Sequence, residues 1–235
     1  VAHEFDQFQQ QRDIALQDSA NKLDAGDRDA LLKQAILQRY SKDRPQELVS
    51  DIAGTGTALV NLPTATGAAY EEGYSTIESL EFPIGDTPPN LLLEEEWQLY
   101  KTPTGTQIML LDVQPANAEF IRATWTARHA GDGSTVPDKD FEAVCDYAAG
   151  LCFEALAAQY AQTGDPTIAA DSVNYRTKSQ EYLGLGKAAK KRYFDHIGVT
   201  DDATGPKTGP AMAGGSVHED LSVGFDRITH PSRSR

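Results

Sequence analysis

Positive charge is scarce in this chain of 235 residues: 21 Lys and Arg stand against 35 Asp and Glu, for a formal net charge of −14 and a pI near 4.7. A surface that seizes nucleic acid needs Lys and Arg to replace the phosphate counterions, so a general electrostatic footprint for DNA or RNA is excluded. Long apolar runs are absent too. No stretch reaches the ~18 consecutive apolar residues of a membrane helix, and no membrane association is expected. The first 25 residues carry Glu4, Asp6, Arg12, Asp13 and Asp18 without an apolar core, so no secretory signal is expected there. An opening Val1 fits removal of an initiator methionine before a small residue, with cleavage of a longer precursor as the alternative.

Cysteine is rare, with Cys145 and Cys152 alone. Seven residues apart in a helical pattern, they share a face but lie two turns, roughly 10 Å, apart. A disulfide needs Cα atoms within about 7 Å, so the pair reads as two small core residues made in a reducing cytosol. The five histidines (His3, His129, His196, His218 and His230) are scattered, and no pair has metal-site spacing. Neither a metal nor a cofactor is expected. Gly184-Leu185-Gly186-Lys187 fails as a phosphate loop, because Ala188 follows the lysine and the segment lies inside a helical pattern. Gly184 and Gly186 instead predict a close approach of another helix or subunit, since glycine costs a helix ~1 kcal/mol relative to alanine. Glu94-Glu95-Glu96 reads as a solvated turn, and Asp138-Lys139-Asp140 as a first helical turn favoured by the dipole. Trp97 and Trp125 read as sheet core. His196 near a helix end has a dipole role to play. No catalytic constellation emerges, and the chain does not read as an enzyme.

What is present is a change of period along the chain. Residues 1–44 read as helices: Phe5, Phe8, Ala15, Leu16 and Leu23 form one stripe interrupted by Arg12, and Ala25-Gly26 ends the first helix. Asp27 can cap a second, with Leu32, Ile36 and Tyr40 on its buried side until Pro45 stops it. Residues 45–128 then follow period 2. Candidate strands are Glu47–Ala53, Thr57–Leu62, Thr76–Ile84, Trp97–Thr102, Thr106–Val113 and Glu119–Arg128. The turn Thr102-Pro103-Thr104-Gly105 closes the clearest hairpin. Six short strands without intervening helix predict a small antiparallel barrel or sandwich.

Residues 129–197 return to helix. Pro137 suits a helix start, and Phe141, Val144, Cys145, Ala148, Leu151, Cys152, Ala155 and Leu156 keep i, i+3, i+4 spacing. A last helix, about Asn174–Ile197, carries Tyr175, Tyr182, Gly186, Ala189, Tyr193 and Ile197, and Gly198 closes it. The fold class is therefore α+β: a helical core of the N-terminal helix and two long C-terminal helices, with an inserted small antiparallel β domain. Residues 198–235, rich in Gly and Pro, predict an extended C-terminal arm that orders only against something else. In it Leu221, Val223 and Phe225 alternate with polar or small residues as a strand with one apolar face. Ile228 can extend that anchor, while Arg233 and Arg235, with Arg227, can reach acidic partners.

Several stretches resemble one phage family. Ala35-Ile36-Leu37-Gln38-Arg39-Tyr40-Ser41-Lys42-Asp43-Arg44-Pro45 is similar to the helix-to-strand joint of head-to-tail connector (adaptor) proteins of siphovirus-like tailed bacteriophages. Glu81–Gly85 and Glu96–Tyr100 resemble the β insertion of some members. Thr135–Pro137, Ala157–Ala161 and Ala170–Tyr182 resemble the helical core. The likeness covers roughly residues 27–197; the glycines at 184 and 186 and the long arm depart from it. It implies a non-enzymatic virion protein of the neck, made in the bacterial host cytoplasm. Copies would form a ring, typically of twelve, with the portal protein above and a stopper or tail protein below. Double-stranded DNA would pass through the channel without specific binding. Two other readings are open: a different neck or tail component, such as a stopper or fibre-attachment protein, and a carbohydrate- or protein-binding module on a helical stalk. An acid-base hydrolase is a distant third.

Overall fold

Helix α1 (Phe5–Leu16) opens on a capping box in which the Gln7 side chain accepts from the Glu4 N–H at 3.1 Å. It closes at Gln17 in the left-handed conformation. The computed structural model describes residues 3–17, 22–103, 105–162 and 175–200. Helix α2 (Ala25–Gln34) is capped by Asp24, whose carboxylate accepts from Ala25 N at 2.7 Å. The expected break at Ala25-Gly26 is thus displaced: both residues lie in the first turn of α2, and Asp27 sits beside them as a first-turn acid, not as the cap.

Arg12 does not interrupt the apolar stripe; it is buried with it, at 2% exposure. Its guanidinium reaches Asp13 and Asp29, each at 2.9 Å, so the charge enters the helical interface already paired.

Helix α2 runs on into a π-helical segment (Ala35–Tyr40) and a last short turn, α3 (Ser41–Asp43). The wider π turn keeps Leu32, Ile36, Tyr40 and Ser41 all buried, where an α-helix would rotate the later ones off the seam. Ser41 supports it by donating from Oγ to the Ile36 carbonyl at 2.8 Å.

The β segment contains β1 (Gln46–Ala53), β2 (Leu59–Val60), β3 (Thr64–Ala65), β4 (Ala68–Ala69), β5 (Ile77–Glu81), β6 (Trp97–Thr102), β7 (Gly105–Leu110) and β8 (Phe120–Ala127). They form two antiparallel three-stranded sheets, β1-β8-β5 and β2-β7-β6, and the small β3-β4 hairpin. All six expected strands are present, most of them shortened. The β3-β4 pair was not foreseen, because four residues around Gly67 are too few to show a period. Inward residues of both sheets make one core of Ile52, Val60, Leu80, Ile108, Ile121 and Trp125. Each such side chain fully withdrawn from water contributes roughly 1.5–3 kcal/mol. Trp125 is buried whole and its Nε1 donates to Ser50 Oγ at 3.0 Å.

Pro137 precedes a 3-10 turn (Asp138–Asp140) that feeds α4 (Phe141–Gln162), and α5 (Tyr175–Ile197) packs against α4. Gly198, at φ +77, ends α5 with its N–H on the Phe194 carbonyl. Phe8, Leu32, Ile36, Tyr40, Val144 and Tyr193 form the helical core. Cys145 lies in it, and Cys152 lies in a smaller cluster with Leu16, Leu23, Phe153 and Leu156. The fold is α+β, an antiparallel β unit set into a helical core.

Candidate functional site

Two places in the molecule concentrate unusual chemistry. The first is the joint between helices and sheets. Asp140 is fully buried, yet its carboxylate accepts from Tyr40 OH at 2.8 Å, from Arg44 Nη1 at 2.7 and 2.8 Å, and pairs with His196 Nε2 at 2.9 Å. Burial alone would raise the Asp140 pKa; the hydrogen bonds from Tyr40, His196 and Arg44 outweigh it and hold the carboxyl below its ordinary range. Arg44 also reaches the Ile197 carbonyl at the end of α5.

Beside this clasp His129 is buried, with Nε2 2.9 Å from the Arg44 carbonyl and Nδ1 3.0 Å from Thr135. Desolvation lowers its pKa despite those carbonyls, so the ring is neutral at physiological pH. Its backbone N–H donates to Ser41 Oγ, and Tyr74 OH donates to the Ser41 carbonyl. One carboxylate and one imidazole thus tie together the π turn, α3, Arg44 just ahead of β1, the turn that feeds α4, and the end of α5.

The Asp140 carboxylate is closed to solvent, whereas the His196 and Arg44 side chains remain partly exposed. Burial pushes the Cys145 thiol up to about 12, away from the thiolate form that a nucleophile needs. Among the described residues no group of three His, Cys, Asp or Glu could hold a metal ion, and no helix is long and apolar enough to cross a membrane.

The second place is the outer strand β6. Its sheet partner is β7, and among the described residues no strand pairs with its other side. Leu99 and Tyr100 are 44% and 45% exposed, unusual for apolar side chains in a sheet. Glu94 and Glu95 stand exposed just before it, and Glu96 turns back to accept from Leu93 N at 2.7 Å.

The charge of the β segment completes the picture. Residues 45–128 hold twelve carboxylates and three cations. Ten of the carboxylates are exposed, all but Glu81 and Glu96. Each cation is engaged: Lys101 with Glu72, Arg122 with Asp51 and Arg128 with Glu71.

Gly186 is buried against α4: a Cβ there would stand 3.1 Å from the Gly150 carbonyl oxygen. At Gly184 a Cβ would meet nothing within 4 Å, so no other described element approaches it. Leu221, Val223, Phe225, Ile228, Arg233 and Arg235 lie outside the described residues. Sequence reasoning missed Asp140, because an acid in a first helical turn looks like a solvated dipole partner. His196 answers that carboxylate as well as lying near the end of α5.

No family model and no curated protein matches the chain. Among solved structures it is similar to a chain in the virion of the native gene transfer agent particle, with 16% identity over 77% of this chain and 89% of that one, at a TM-score of 0.27. It is also similar to a chain in the neck of the empty gene transfer agent particle, computed with C6 symmetry, with 17% identity over 77% of this chain and 88% of that one, at a TM-score of 0.27. A third likeness is to a chain in the neck of the native particle, computed with C12 symmetry, with 17% identity over 69% of this chain and 84% of that one, at a TM-score of 0.25.

Proposed function

We propose that this chain is a structural subunit of a phage-type neck, a head-to-tail connector rather than an enzyme. Copies assemble as a ring, twelve in number, between a portal protein and a stopper or tail protein, around a channel for double-stranded DNA. The observation that carries this reading is the joint at residues 35–45. The stretch that resembles the connector family's helix-to-strand joint coincides with the π turn and with Tyr40 and Arg44 of the Asp140 clasp. A buried clasp of this kind fixes the angle between two parts of a subunit, which a ring that must close requires.

The charge supports the channel. An exposed acidic surface whose cations are already engaged repels phosphates, the inverse of counterion-release binding, and lets DNA move without adhering. The binding-module reading has less to stand on. It needs Trp97, Tyr100 and Trp125 on one exposed face, and Trp125 is entirely buried.

Native mass measurement and negative-stain imaging of the purified full chain test the proposal. The expected result is a closed ring with a central opening; a stable monomer at all concentrations overturns it. Tight, salt-sensitive binding of duplex DNA at physiological salt would overturn the channel assignment.

A further inference from the structure

We infer that the outer edge of β6 receives residues Leu221–Phe225 from the arm of a second copy, added as an antiparallel strand. The backbone shows which groups await a partner. Leu111 N donates to the Glu96 carbonyl, and Leu110 N turns the other way, to Ala58. With the register Trp97↔Leu110 and Leu99↔Ile108, this alternation directs the N–H and C=O of Trp97, Leu99 and Lys101 away from β7. The side chains of Trp97 and Leu99 lie on the face of Ile108 and Leu110, which belong to the β core. That core ends short of Leu99, which is why an inward-facing leucine remains 44% exposed.

The arm supplies what is missing. Leu221, Val223 and Phe225 alternate with Ser222 and Gly224, so one added strand offers three apolar side chains to the uncovered face. With Val223 opposite Leu99, an antiparallel strand sets Phe225 beside Trp97 and Leu221 beside the stem of Lys101.

Charge selects the direction. Glu94, Glu95 and Glu96 precede β6, and Lys101 lies at its far end. In the arm Glu219 and Asp220 precede the apolar run, whereas residues 227–235 carry Arg227, Arg233 and Arg235 and no carboxylate. Antiparallel addition brings Arg227 opposite Glu95 with the later arginines beyond it, against the single carboxylate Asp226 opposite Glu96. Parallel addition would bring Glu219 and Asp220 there instead and set like charges together.

The tether is long enough to reach a second copy. The 20 residues 201–220 can span up to about 66 Å at ~3.3 Å each. A compact body of about 180 residues is only about 40 Å across. That reach exceeds the width of the subunit, so a strand edge on a neighbouring copy lies within it. The inference rests on the ring reading for the presence of a neighbour.

Disulfide trapping in the full chain tests it, since Cys145 and Cys152 are buried. Opposite the new strand, position 100 falls at a close, non-hydrogen-bonded pair of a kind a disulfide can span. Tyr100→Cys chains are mixed with Ser222→Cys chains or with Gly224→Cys chains, assembled and oxidised. The expected result is roughly tenfold more cross-linked dimer with Ser222→Cys than with Gly224→Cys, because the mispaired position lies beyond the ~7 Å limit. The reverse preference would overturn the direction. In the double variant Tyr100→Cys/Ser222→Cys, a bond formed only within one chain would overturn the second-copy assignment. A closed ring that gives no cross-link refutes the strand addition and leaves the ring reading intact; a persistent monomer refutes both.

Discussion

Gly150 on α4 and Gly186 on α5 face each other so closely that a Cβ on either would stand 3.1 Å from the carbonyl oxygen of the other. Each carbonyl is backbone that cannot turn aside, and at Gly150 the stem of Lys190 stands closer still, at 2.8 Å. The two longest helices of the described chain pack at the distance these glycines allow.

Gly186→Leu is therefore expected to cost about 1–3 kcal/mol or more by overpacking. Gly184→Ala, two residues away and facing open space, should instead be neutral or stabilise by up to ~1 kcal/mol through helix propensity. Urea midpoints of the two variants give the comparison; equal shifts would show that the contact does not limit the packing.

Asp140→Asn is expected to destabilise by about 2–4 kcal/mol, since Arg44 loses its partner while Tyr40 and His196 lose a charged acceptor. The folded pKa of Asp140 lies below its unfolded value. Its stabilisation is complete above the ordinary carboxylate range near pH 4 and is lost as pH falls through the folded pKa. The variant should show a flatter loss of stability in acid, read from thermal unfolding at a series of pH values below about 5.

His129 acts in a higher window. Its folded pKa is depressed by desolvation, so the unfolded chain binds the proton more readily. Its contribution is full above the ordinary histidine value of about 6.5 and falls as pH drops from there towards the folded pKa. His129→Gln should be less stable at pH 7, through loss of the contacts to Arg44 and Thr135, yet change less between about pH 7 and 5. An unchanged slope in urea unfolding would place the proton uptake on another group.

Truncation after Thr200 retains Val199, which packs on the helical core, and removes the arm. Thermal unfolding of the subunit should move little, while assembly into the proposed ring is lost. Assembly at the full-length yield, measured by size-exclusion chromatography with light scattering, would make the arm dispensable.

Local pattern decided much of this molecule. The strand β6 was legible to the residue, because alternation and the Pro103–Gly105 turn act within a few positions. The long α4 was legible because its apolar residues repeat over many turns. The acidic balance of residues 45–128 needed only counting. The Asp140 clasp was not legible: Tyr40 and Arg44 lie 100 and 96 residues away, and nothing local distinguishes a carboxylate that will be buried from one left in water. Arg12 looked like a break in a stripe because its partner Asp29 arrives from the next helix. Gly150 carried no signal within α4, since the closeness that demands a glycine belongs to two helices at once. Periodicity reports which face a residue takes; only the packed structure decides what meets it there, because the partners are brought together by burial and not by sequence distance.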